Sequence, residues 1–129
     1  MDNAIFQVTA SKSFDETVEK IKDQTAAHSF RVLYVHDVKA TLGEKGFEIR
    51  PLKIIEVCNA MYANTALKVD ITVSLLMPCR LNVYENENGK VIISMIRPTH
   101  LSRTFNNPQL EDFAIQVEND LIKIIETSK

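Results

Sequence analysis

Glycine is scarce in this chain: Gly43, Gly46 and Gly89 are all there are. They form no cluster, which excludes the glycine-rich loops that cradle phosphates. Cysteine is scarcer, with Cys58 and Cys79 alone, and two thiols make no disulfide framework. Neither sign of charge dominates. The 15 Lys and Arg against 17 Asp and Glu leave a net charge of -2, and basic residues never run longer than one or two. A general nucleic-acid binder needs a basic face, so nucleic acid is not an expected partner. Long apolar runs are missing too, and the longest fall far short of the ~18 residues that read as a membrane span. The N-terminus, M-D-N-A-I-F-Q-V-T-A, has neither a basic n-region nor an apolar h-region and does not read as a secretory signal. The expected compartment is therefore the cytoplasm, where thiols stay reduced, with no membrane partner.

What is present is an ordinary globular composition, 45% hydrophobic and 25% charged. At this length one domain is expected, residues 1–129, without repeat, linker or low-complexity segment. A chain of this size buries about two-thirds of its unfolded surface and needs no disulfide or metal to fold.

The pattern along the chain alternates between strand and helix periods. Ala4 to Ala10 reads as a strand around Ile5, Phe6 and Val8. Ser13-Phe14-Asp15-Glu16 fits a capping box, and Phe14, Val18, Ile21 and Thr25 then share one helical face up to about His28. Phe30 to Val38 alternates as a second strand, with Phe30, Val32, Tyr34 and His36 on one face and Arg31, Leu33, Val35 and Asp37 on the other. Asp37 suits the N-cap of a short helix over Lys39 to Gly46, although Gly43 weakens it by about 1 kcal/mol. Pro51 to Cys58 is apolar on both faces and reads as an interior strand. Met61 to Lys68 forms a short helix in the connection that follows. Cys79 to Glu85 and Lys90 to Ile96 are two further strands joined by a turn at Asn88-Gly89. Asn107-Pro108 opens a final helix to about residue 127, whose apolar stripe is Leu110, Phe113, Ala114, Val117, Leu121, Ile124 and Ile125. The fold class is α+β: strand, helix, four strands, helix, with an antiparallel sheet covered on one face by the two longer helices.

From Arg50 to Pro98 the chain resembles a known family of small bacterial and archaeal proteins, domain of unknown function 302. The motifs that carry the resemblance are Arg50-Pro51, I-I-E-V-C-N at Ile54 to Asn59 with Tyr62-Ala63, L-L-M-P-C-R at Leu75 to Arg80, V-Y-E at Val83 to Glu85, G-K-V at Gly89 to Val91, and Ile96-Arg97-Pro98. The resemblance implies an arrangement similar to the TATA-binding-protein-like fold, matching the element order read from the residues. It implies no DNA binding, since fold does not transfer function, and no established activity or catalytic residues.

The element order brings particular residues to one end of the sheet. One strand ends at Cys58, its antiparallel neighbour begins at Cys79, and the last strand returns to the same end at Arg97, ahead of His100. Cys58, Cys79, His100, Glu56 and Arg97 are the candidate site residues. A Cys–His nucleophile needs hydrogen-bond contact and an orienting third group, and a reactive thiol needs an electropositive, partly exposed setting. Packing as small hydrophobes is the alternative for both cysteines. Metal binding by Cys58, Cys79 and His100 is the weaker option, because structural zinc wants four N or S ligands with close cysteine pairs. No cofactor is expected. Glu56 sits inside an apolar strand; its face is either open to solvent or supplies a partner from a neighbouring strand.

Two functions follow. The first is a non-enzymatic domain binding a small-molecule ligand or a partner, as a homodimer, since antiparallel sheets leave edges and often one bare face. The alternative is a thiol-based redox or metal-handling protein that uses Cys58 and Cys79.

Overall fold

The computed structural model describes residues 3–129. Five strands form one antiparallel sheet: β1 (Ile5–Ala10), β2 (Arg31–Asp37), β3 (Leu52–Cys58), β4 (Cys79–Glu85) and β5 (Val91–Ile96), in spatial order β1-β5-β4-β3-β2. The helices are α1 (Phe14–Ala27), α2 (Val38–Gly43), α3 (Ala60–Val69), α4 (Pro98–Ser102) and α5 (Pro108–Ser128). The expected α+β order is present. Two short 3-10 segments, Ile71–Leu76 and Arg103–Phe105, and the single-turn α4 are additions that no hydrophobic period announced. Among the described residues no helix is long and apolar enough to cross a membrane.

Local chemistry accounts for the element ends. The Ser13 hydroxyl accepts from the Glu16 amide at 3.2 Å, and a Glu16 carboxylate oxygen accepts from the Ser13 amide at 3.4 Å, closing the capping box. Asp37 accepts from the Ala40 amide at 3.0 Å and starts α2. Asn107 accepts from the Gln109 amide at 2.9 Å, with Pro108 as first helical residue of α5. Between β4 and β5, Gly89 takes a φ of 75°, which an L side chain resists, while the Asn86 side chain accepts from the Asn88 and Lys90 amides.

The sheet has one packed face. α1 carries the chain across it from the β1 edge to the β2 edge, and α5 lies beside α1. Ile21 from α1, Ile55, Leu81 and Ile93 from the strands, and Leu121, Ile124 and Ile125 from α5 are fully buried there. Of the α5 stripe, Phe113 and Val117 are only partly buried, because they face a cavity described below.

Strand β2 departs from the simple alternation. Val32 pairs with Val57 but Tyr34 pairs with Glu56, so Leu33 is an extra residue, a β-bulge. The bulge inverts the facing of everything after it. Phe30 and Val32 point into the core as the alternation predicts, but so does Val35, while Tyr34 turns outward and is 59% exposed. A period of two cannot signal an inserted residue, since the same hydrophobic string reads either way.

Candidate functional site

The β3–β4 register pairs Val57 with Cys79, which sets Cys58 and Cys79 at the same rim of the sheet. Between them the chain leaves the sheet as α3 and the 3-10 turn. A cavity of about 520 Å³ opens there, walled by the strand ends, α3, α4 and α5. Small side chains account for the hollow: Ala63 and Ala66 on α3 and Ala114 on α5 stand where larger residues would fill the space. Phe30, Val57, Met95, Leu101, Phe113 and Leu121 make the wall mostly apolar.

Both cysteines line this cavity and both are free thiols. Cys79 shares its strand face with the buried Leu81 and Val83 and packs on the core. Burial pushes its thiol up to about 11, the nearby Cys58 adds to the rise, and Arg80 partly offsets it. A nucleophilic cysteine needs the opposite shift. At pH 7 a thiol with that pKa is about 0.01% thiolate, against about 3% for an ordinary cysteine. In the folded protein Cys79 is therefore expected to alkylate with iodoacetamide at least a hundredfold more slowly than after denaturation. The rate should climb with pH well past 9. Equal rates in the two states at pH 7 would contradict this.

The other candidates serve different places. Arg97 is held by Glu118, Nη1 to Oε2 at 3.2 Å, and lies 5.3 Å from the centre of the Phe6 ring. The same Glu118 accepts from the Thr99 amide at 3.1 Å and from its hydroxyl at 2.6 Å, so this cluster pins the start of α4 to α5. His100 sits on α4 outside the cavity wall, with Nδ1 buried and no hydrogen-bond partner among the described residues. Glu56 lies on the opposite face from the core, its side chain 22% exposed, and its Oε2 meets His36 Nε2 at 3.1 Å. The partner thus comes from the neighbouring strand β2, in a small cleft closed by Val38 and Leu42 of α2. Among the described residues no three His, Cys, Asp or Glu side chains gather as a metal would require.

The polar groups of the cavity wall fall into two sets. Asn59 caps α3, accepting from the Tyr62 amide at 3.0 Å, and donates to the Ser29 carbonyl at 3.1 Å. The Tyr62 hydroxyl donates to Asp120 Oδ2 at 2.9 Å, which raises the phenol above its usual range. Ser102 donates to the Thr99 carbonyl at 3.1 Å. Those three are engaged in holding the fold. Arg80, Asn82 and Ser94 line the cavity from the uncovered sheet face, where Asn82 and Ser94 are cross-strand partners.

Sequence reasoning placed the cysteines correctly at one rim but not the cavity around them. The available signal was the pair of small residues Ala63 and Ala66 on α3, spaced to lie on one side of a helix.

Comparison with known proteins supports the same fold. The crystal structure of an uncharacterized conserved protein DUF302 from Bacillus stearothermophilus is similar over 99% of this chain and 100% of that one, at 32% identity and a TM-score of 0.95. An uncharacterized protein of Aquifex aeolicus (strain VF5) is 27% identical over 81 residues, which is 60% of this chain and 56% of that relative. The matched stretch therefore spans little more than half the length of that relative. The family model for the domain of unknown function DUF302 matches residues 6–128, a stretch containing every motif from Arg50 to Pro98, and the chain belongs to that family.

Proposed function

We propose that this protein is a non-enzymatic binder of a small molecule with a largely apolar body, which occupies the cavity between the sheet rim, α3 and α5. The observation that carries the reading is the cavity itself. At about 520 Å³, with a mainly apolar wall and a few polar groups, it has the dimensions of a small-molecule site. Thiol chemistry is the less favoured reading, because the Cys79 thiol is shifted away from the thiolate.

The cavity is tested with phenylnaphthylamine, a neutral apolar probe whose fluorescence rises on leaving water. The wild-type chain should bind it saturably. Ala114→Phe places a ring in the wall and should weaken that binding at least tenfold while the circular dichroism spectrum stays unchanged. Unaltered binding in a folded Ala114→Phe protein would place the probe elsewhere.

We propose further that the protein acts as a homodimer. β1 and β2 are edge strands, and Ile71 and Leu75 of the 3-10 segment are 70% and 83% exposed. Such features favour association between copies. Light scattering at high micromolar concentration should give twice the chain mass, and a monomer mass would end this reading.

A further inference from the structure

We propose that the ligand is an amphipathic carboxylic acid, its apolar body inside the cavity and its carboxylate at the mouth against Arg80, with Asn82 and Ser94 beside it. This inference rests on the cavity being a binding site and adds the chemistry of what fills it.

Three observations converge. First, among the described residues Arg80 is the one charged residue in the cavity wall. Second, although Arg80 also borders the outer cleft that holds Glu56 and His36, it makes no hydrogen bond or ion pair with another described residue. Glu56 stands opposite Arg80 across the β3–β4 ladder, but its carboxylate is turned to His36. Third, the wall's other polar side chains divide by location. Those toward the helices are engaged in hydrogen bonds, while Asn82 and Ser94, on the same sheet face as Arg80, have no protein partner among the described residues.

A guanidinium with neutral hydrogen-bonding neighbours is the donor set that a carboxylate takes, since its planar fork matches the two carboxylate oxygens. The apolar side is supplied on the same sheet face by the cross-strand pair Ile5 and Ile96, each 51% exposed, and elsewhere in the wall by Leu75. Exposed apolar side chains around a single cation suit a molecule with a greasy body and one negative end. A neutral apolar ligand would leave Arg80, Asn82 and Ser94 unused. A phosphate or nucleotide would meet a mostly apolar wall with one charge to answer several.

The test displaces bound phenylnaphthylamine with dodecanoate and with dodecanol, which differ at the head group alone. Wild type should bind dodecanoate more tightly than dodecanol, and added salt should weaken only the former. Arg80→Gln should lower dodecanoate affinity about tenfold, the size of one charge-assisted hydrogen bond in a partly exposed setting. It should change dodecanol affinity less than about twofold. Arg80→Lys should recover part of the loss, because the charge remains and the fork does not. Equal dodecanoate binding by wild type and Arg80→Gln, with dodecanol still bound, overturns the assignment of the head group and leaves the cavity reading in place. Failure of phenylnaphthylamine itself to bind overturns both.

Discussion

Ile124→Ala is expected to destabilise the protein by about 2–5 kcal/mol, the range for emptying a buried aliphatic site. Ile124 has no accessible surface and belongs to the cluster that joins α1, α5 and the strands. That cluster draws on different elements: Ile21 from α1, Leu81 from β4 and Ile93 from β5 are all fully buried in it. A hole there cannot close by moving one side chain, so most of the lost contact stays lost. Phe113→Ala provides the contrast. On the sequence alone it belongs to the same stripe, and a fully buried Phe would cost roughly 3–5 kcal/mol. Phe113 is only partly buried and already borders a cavity, so its truncation should cost less than that of Ile124. Urea unfolding with unchanged slope measures both. A loss below about 1 kcal/mol for Ile124→Ala would show that α5 is not seated on the sheet as described.

Glu118→Ala is expected to cost about 2–3 kcal/mol, well above an exposed ion pair. The carboxylate answers three donors at once: Arg97 Nη1, the Thr99 amide and the Thr99 hydroxyl. Its side chain is 12% exposed and that of Arg97 26%, so water replaces those bonds only in part. Removing the acceptor leaves a poorly solvated guanidinium and an orphaned amide at the start of α4. Glu118→Gln should cost less, because its amide oxygen still accepts from Thr99. A double-mutant cycle with Arg97→Ala isolates the ion pair from the contacts to Thr99. A loss of under about 0.5 kcal/mol for Glu118→Ala would reduce the cluster to an ordinary surface contact.

The fold was largely legible in the sequence because its signals are local and periodic. The Ser13 capping box, the Asn107-Pro108 start, the Asn88-Gly89 turn and the α5 stripe each act over a few residues, and each is present. What could not be read depends on counting across strands or on packing between distant elements. The extra Leu33 in β2 changes which of Tyr34 and Val35 is buried, and only the pairing with β3 reveals it. The 3-10 segments and α4 are too short to show a period.

The candidate site was half legible. That Cys58 and Cys79 share a rim follows from antiparallel pairing alone. Arg97, adjacent to that rim in the chain, is instead drawn to Glu118, a residue of α5 that no local rule connects to it. Arg80 was visible only as a neighbour of Cys79. Its place in the cavity wall depends on α3, α4 and α5 closing a space lined by Ala63, Ala66 and Ala114.

The most direct measurement of cavity binding uses methionine methyl resonances. Met77 and Met95 line the cavity, whereas Met61 is 67% exposed and lies outside its wall. With the methionine methyl groups labelled with carbon-13, titration with dodecanoate should shift the Met77 and Met95 signals along one saturating curve and leave Met61 in place. Shifts at Met61 alone, or none at Met77 and Met95 at saturating ligand, would contradict a binding site between the sheet rim and α5.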